Sequence, residues 1–272
     1  MGAYMSKPLK GEPRSDRHRF IDLDGNDSQG HQVIFPILKQ DPGAVLQLIG
    51  TGFFISCCGL FVSAKHVLRD CFAQDGAQKY PICLVHFLPN RQYQFRHIVW
   101  CSHHDICDIA VGLAEPAESG EINAVLQLTT SVQPNGATCV TYAYPKTEIQ
   151  QVGSIHVLNF KADFYDGRIV QCHPQGRDKI LLPGPCYQTS IVIRGGASGG
   201  PVIGSSGRVF AINSTGYDGT DDISFVSRID EILHLMIPSI NLPNGQVISS
   251  VTVADLAKSG WIDLEGQPNT GL

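Results

Sequence analysis

Past about residue 30 the chain is a succession of short apolar or alternating runs, each interrupted by Gly, Pro, Asn or Asp. The runs are VIFPILK (33–39), AVLQLIGTGFFIS (44–56), GLFVSA (59–64), YPICLVHF (80–87), QFRHIVW (94–100), DIAVGLA (108–114), ATCVTYAY (137–144), GSIHVLNFKADF (153–164), KILLPG (179–184), RVFAINST (208–215) and DISFVS (222–227). Their lengths and their β-branched and aromatic content suit strands. With so little helical pattern between them, they predict an all-β sandwich or barrel and argue against βαβ units. Three stretches read as helix: a short turn at KHVLRDCF (65–72), SRIDEILHLM (227–236), and VADLAKSGWIDL (253–264) ending at Gly260. In the second, Ile229, Ile232, Leu233 and Met236 share one face behind a serine cap.

At 272 residues the chain is long enough for one large domain or for two packed barrels sharing a core. A net charge of −5 gives no electrostatic reason to expect nucleic acid or an anionic membrane as partner. No run of about 18 apolar residues reads as a membrane span. The first 20 residues carry five Lys/Arg and two acidic residues without an apolar signal stretch, and read as a solvated tail. MGAYMS also fits the pattern for lipidation of Gly2, a short match beside which a plain tail is the expectation. The nine cysteines contain no CxxC pair. Without a signal they read as reduced and mostly buried, which implies a cytoplasmic protein.

Residues 194–203, RGGASGGPVI, crowd four glycines and a proline around Ser198. A flexible loop tolerates glycine, but a nucleophilic serine needs it. The hydroxyl must stand exposed at a tight turn, with backbone N–H groups converging on a developing oxyanion. The same letters fit the G-x-S-x-G elbow, but that turn launches a helix, whereas Pro201 leads here into a strand-like PVIG. The elbow also wants a later histidine, and only His234 follows.

A serine needs a base. Of ten histidines, His66 stands out: small residues Ser63 and Ala64 precede it at the end of a strand, letting its ring face a cleft. Forty-two residues on, Asp108 opens Ile109-Ala110-Val111, a carboxylate at the mouth of an apolar strand that needs a partner. Ser198 follows ninety residues later.

The order His, Asp, Ser, carried by SAKHV, DIAV and GASGGPV, resembles the trypsin-like (chymotrypsin-fold) serine peptidases over roughly residues 31–238. The resemblance implies two six-stranded antiparallel β-barrels, a short helix near His66 and a C-terminal helix. Barrel 1 would run from about 31 to 125 and barrel 2 from about 126 to 238, between a tail at 1–30 and an extension at 239–272. It implies Ser198 as nucleophile, His66 as base, Asp108 as orienter, and the N–H groups of Gly196 and Ser198 as oxyanion hole. The substrate would be a protein or peptide, with no cofactor and no metal.

Departures qualify the match. Val67 and Arg194 stand where disulfide-stapled relatives carry cysteines, so the chain resembles the disulfide-free, bacterial-type branch. Ala197 replaces the aspartate of zymogen-activated members, which leaves room for control by a partner or ligand. The resemblance places the specificity pocket at Ser190–Arg194 and Asn213–Gly216, closed by Ser224–Val226. Val192, Ile193, Ser214, Thr215 and Gly216 are its substrate-binding residues, and Val192 predicts a small or medium apolar P1 side chain. The cluster Cys101, His103, His104, Asp105 and Cys107 offers metal-binding side chains, but alternate residues on a strand face opposite ways, so a loop is expected there. The rival from another class is a silent peptidase fold that holds peptides as a binding or scaffold module.

Overall fold

The computed structural model describes residues 18–21, 27–43, 45–73, 76–88, 92–117, 123–145, 147–153, 155–216 and 223–267. Gly2 and the tail through residue 17 lie outside these residues. A ribbon of β1 (Phe20–Ile21) and β2 (Asp27–Ser28) comes first. Barrel 1 follows with β3 (Ile34–Gln40), β4 (Leu46–Phe54), β5 (Leu60–Ser63), β6 (Ile82–Phe87), β7 (Tyr93–His103) and β8 (Ala110–Ala114). Helix α1 (Lys65–Leu68) sits directly after β5. Barrel 2 begins with β9 (Thr138–Ala143), from which the hairpin β10 (Glu148–Val152) and β11 (Ile155–Asn159) projects. It continues with β12 (Asp163–His173), β13 (Cys186–Thr189), β14 (Pro201–Gly204), β15 (Val209–Gly216) and β16 (Ser224–Arg228). A second hairpin, β17 (Met236–Asn241) and β18 (Val247–Thr252), leads into α2 (Val253–Lys258).

Both barrels close, in the orders β3-β4-β5-β8-β7-β6 and β12-β13-β16-β15-β14-β9, with every pairing antiparallel. Closure leaves no open edge to template aggregation. Barrel 1 is filled by Phe35, Phe54 and Phe61, with ring centroids 4.6 and 5.5 Å from Phe35. Gly112 makes room for them, since a Cβ there would stand 2.3 Å from the Phe61 ring. Barrel 2 packs around Tyr165, Tyr187, Val202, Phe210 and Val226. Between the barrels the buried Tyr144 donates its hydroxyl to the Ile34 carbonyl at 2.9 Å.

Two expectations from the sequence are corrected. The helix over 227–236 is only a 3-10 turn at Ile229–Ile232. Ser227 is committed to β16, paired with Cys186 and Ile212, and Met236 already belongs to β17, so ladder pairing overrides the helical period. KILLPG (179–184) is a loop: the Asp178 carboxylate accepts the N–H groups of Ile180 and Leu181 at 2.9 and 2.7 Å, taking the donors a strand would use. Described residues of both flanks pack against the barrels. Phe20 rests on Tyr142 and Phe164 at 5.3 and 5.1 Å, and the C-terminal segment buries Ile240, Leu242, Val253, Leu256, Ile262 and Leu264 in the main core. Helix α2 forms as expected, opened by a reciprocal capping box between Thr252 and Asp255.

Candidate active site

Antiparallel pairing decides what meets at the cleft. Strands β5 and β8 are neighbours with Ser63 opposite Ala110, so the residues just after β5 and just before β8 emerge at the same end. That brings His66, on α1, to Asp108. The His66 backbone N–H donates to Asp108 Oδ1 at 3.0 Å, and His66 Nδ1 lies 2.8 Å from Asp108 Oδ2. The Ser214 hydroxyl donates to Oδ2 at 2.6 Å. Burial raises the Asp108 carboxyl, but the bond and charge of His66, then the Ser214 hydroxyl and the His66 N–H, outweigh it and hold the pKa below the usual carboxylate value. A carboxylate so held fixes the imidazole tautomer, because only a protonated Nδ1 can donate to it.

Lys65, beside His66, donates its ammonium to the carbonyls of His104 and Asp105, both at 2.7 Å. Helix α1 is thereby tied to the loop that carries Asp108.

The serine arrives by the same logic from barrel 2. Pro201 of β14 pairs with Ile212 of β15, so Ser198 just before β14 meets the end of β15. Its turn is a chain of backbone bonds: Ala197 N–H to the Arg194 carbonyl at 3.0 Å, Gly199 N–H to Asn213 at 2.7 Å, and Gly200 N–H to Ala197 at 3.0 Å. Gly196 and Gly199 take φ of +87° and +84°, left-handed values that favour glycine. Barrel 1 braces the turn through Thr51, whose N–H donates to the Ser198 carbonyl at 2.8 Å and whose hydroxyl donates to the Gly196 carbonyl at 2.7 Å. The amide of the buried Asn213 donates to the Ala197 carbonyl at 3.1 Å. Among the described residues, the N–H groups of Gly196 and Ser198 donate to no protein acceptor.

His66 and Ser198 line one cleft of about 290 Å3, together with Ile193, Arg194, Gly195, Ser214, Thr215 and Gly216. The Ser198 hydroxyl donates to the Ser214 carbonyl at 3.4 Å and makes no bond to His66. A larger cleft of about 870 Å3 continues past Lys65, His66 and Asp108 to the 175–183 loop, also lined by Ser214 and Thr215. Of the expected pocket residues, Ile193, Ser214, Thr215 and Gly216 face the small cleft, while the half-buried Val192 lines neither. Ser214 serves Asp108 with its side chain. Gly216 is close enough to Ile193 that a Cβ would stand 2.9 Å from its carbonyl oxygen.

The cysteine-histidine cluster divides: Cys101 and His103 end β7, where the expected loop is corrected to strand, and only residues 104–107 form a loop. Only His104 and Cys107 come together, with Glu231 from barrel 2: His104 Nε2 and Cys107 Sγ lie 3.5 and 3.6 Å from Glu231 Oε2. His104 Nδ1 accepts the N–H groups of Ile106 and Cys107 at 3.1 and 2.9 Å. The neutral ring therefore keeps its proton on Nε2, the nitrogen a metal would need, whereas metal-binding histidines donate from their other nitrogen.

The trypsin-like peptidase domain model matches residues 50–212, more than half of the chain. The chain belongs to the trypsin-like peptidase family. By class it is a serine endopeptidase. No curated protein matches the sequence. Similar solved structures share the double-barrel fold of the family. Deg5 is 22% identical with a TM-score of 0.52, covering 74% of this chain and 85% of that one. The Rv3671c protease from M. tuberculosis in its active form is 18% identical with a TM-score of 0.52, covering 74% and 78%. The HtrA-type protease AlgW with a tripeptide is 17% identical with a TM-score of 0.51, and this peptidase covers 57% of its length.

Sequence reasoning missed Thr51 and Lys65 and gave Ser214 a different task. Thr51 lies in an ordinary strand pattern, GTGFF, and Lys65 is one letter of SAKHV. Neither carries a local signal, because their partners are distant in sequence.

Proposed function

We propose that the peptidase hydrolyses peptide bonds with Ser198 as nucleophile, His66 as general base and then acid, and Asp108 as the group that orients His66 and stabilises its charged form. The carrying observation is the Ser214–Asp108–His66 network, with bonds of 2.6 to 3.0 Å, opening onto the cleft that holds Ser198. His66 Nδ1 is engaged by Asp108, so Nε2 is the nitrogen available to take the serine proton. The tetrahedral oxyanion would sit between the N–H groups of Gly196 and Ser198, which have no protein acceptor among the described residues. Each such donor is worth about 2.7–4 kcal/mol in the transition state. The serine hydroxyl donates to the Ser214 carbonyl; substrate would turn it toward His66, since such bonds tighten when substrate is bound.

Ile193 and Gly216 in the cleft support a small or medium apolar P1 residue. All nine cysteines are free thiols, which supports work in a reducing compartment such as the cytoplasm.

The resting bond from Ser198 to Ser214 favours a second reading, a domain that stays silent until a partner or ligand resets the turn, or that only holds peptides. Turnover of a fluorogenic peptide library, with Ser198→Ala alongside, separates the readings. Cleavage after small apolar residues that vanishes in the variant is expected. Binding of library peptides without cleavage would favour the silent module, and cleavage after Lys or Arg would overturn the P1 reading.

A further inference from the structure

The turn joining β4 to β5 holds Ser56, Cys57, Cys58 and Gly59, at the opposite end of β5 from His66. It is closed by the Gly59 N–H donating to the Ser56 carbonyl at 3.2 Å, and the Cys58 N–H donates to Ser56 Oγ at 3.2 Å. The geometry brings the two neighbouring thiols onto one side, with Sγ atoms 3.7 Å apart and within hydrogen-bond reach. Both are free thiols on half-buried residues.

This pair differs from six other cysteines. Burial pushes the thiols of Cys71, Cys83, Cys101, Cys107, Cys139 and Cys186 up to about 11 or 12, which keeps them protonated and inert. Cys58 moves the other way, downward, first because its sulfur shares a hydrogen bond with Cys57 at 3.7 Å, with help from Ser56 and against burial. The same bond, and then burial, pushes Cys57 up. A thiolate next to a thiol that can resolve it is the arrangement of peroxide-reactive cysteines.

We propose that Cys58 is a modification site for small hydroperoxides and that Cys57 is its resolving thiol. The Cys58 thiolate attacks one oxygen of hydrogen peroxide, forming an S–O bond as the O–O bond breaks; the departing hydroxide takes a proton and leaves as water. The Cys57 sulfur then attacks the sulfenic sulfur, its proton leaving with the S–OH oxygen as a second water. Two thiols and one peroxide become one disulfide and two waters. Neighbouring Cα atoms stand about 3.8 Å apart, below the usual disulfide span of about 4.4–6.8 Å, so a thiol reductant should reverse the product readily.

The test is peptide mass spectrometry of the folded full chain after brief hydrogen peroxide at neutral pH, with and without a sulfenic-acid trap. In wild type, the peptide bearing residues 57 and 58 should lose two hydrogens at least about tenfold faster than the buried cysteines oxidise, and dithiothreitol should restore it. Cys57→Ser keeps a donor but no resolving thiol, so Cys58 should be trapped as sulfenic acid at a similar rate. Cys57→Ala removes the donor and should slow the trapping. Oxidation at Cys57 in Cys58→Ser at the wild-type rate, or oxidation of residues 57 and 58 no faster than of Cys71 or Cys83, would overturn the proposal. Circular dichroism of each variant distinguishes a lost fold from a lost reaction.

Discussion

The two sides of the cleft are built to different standards. On the side of barrel 1, His66 and Asp108 are joined twice, at 3.0 and 2.8 Å, and Ser214 closes the network at 2.6 Å. On the side of barrel 2, the Ser198 carbonyl and its neighbours are braced by Thr51 and Asn213, but the hydroxyl itself rests on a carbonyl at 3.4 Å. On the proposed assignment the base is held in place by Asp108, whereas the proposed nucleophile has a braced backbone and a hydroxyl still to be turned. Rotating one hydroxyl about χ1 is a small step, so most of the ordering needed for catalysis is present in the resting fold.

Removing a reacting group should have the largest effect. Ser198→Ala and His66→Ala should each lower kcat/KM by about 10^4–10^6-fold, and Asp108→Asn by about 10^4-fold, because the wrong tautomer would be held. Circular dichroism should stay unchanged for Ser198→Ala. Equal residual activity in wild type and Ser198→Ala would remove the proposed roles.

Acid should test the barrel that carries the base. Within barrel 1 the buried His86 donates from Nε2 to the Gln32 carbonyl at 3.1 Å and accepts from the Arg96 guanidinium at 3.2 Å, against the Phe54 ring. Burial first, then the Arg96 charge, lowers its pKa to about 4. A folded pKa below the unfolded value of about 6.5 means the unfolded chain binds more protons between the two, so stability falls as pH drops through that window. Wild type should lose about 2 kcal/mol from this group between pH 7 and pH 5, and His86→Gln should lose less, in denaturant titrations at both pH values. Asp108, with its pKa lowered, acts in a separate window: its contribution is complete above the ordinary carboxylate value and fades only as pH falls through the lower folded one.

Smaller losses should separate the braces. Ser214→Ala removes a charge-assisted bond to Asp108 and should cut kcat by about tenfold, moving the acidic limb of the pH–rate profile upward. Lys65→Met frees the 104–105 carbonyls and should lower kcat about fivefold with little change in KM, as a loosened base would. A change in KM alone would place Lys65 in substrate binding instead.

The double barrel was legible in the sequence because period-2 runs and turn residues are local, and the motifs SAKHV, DIAV and GASGGPV mark the ends of strands that pair. Ser227–Met236 was misread as helix because its apolar spacing fits both a helix and a strand end, and only the pairing of Ser227 with Cys186 and Ile212 decides between them. Lys179–Gly184 looked like a strand because its apolar residues are those of a strand, and the Asp178 cap that keeps Ile180 and Leu181 exposed has no apolar signature. The Thr51 brace crosses between the barrels from a position 145 residues before Gly196, a separation no local pattern reports.

Fluorophosphonate labelling of the purified chain, with Ser198→Ala and His66→Ala beside it, tests the central claim most directly. The account predicts one label per chain on Ser198 in wild type and none in either variant, because the probe needs both the nucleophile and its base. Labelling that persists in Ser198→Ala, or its absence from a correctly folded wild type, would contradict a site whose base is already in place and whose serine needs only to turn.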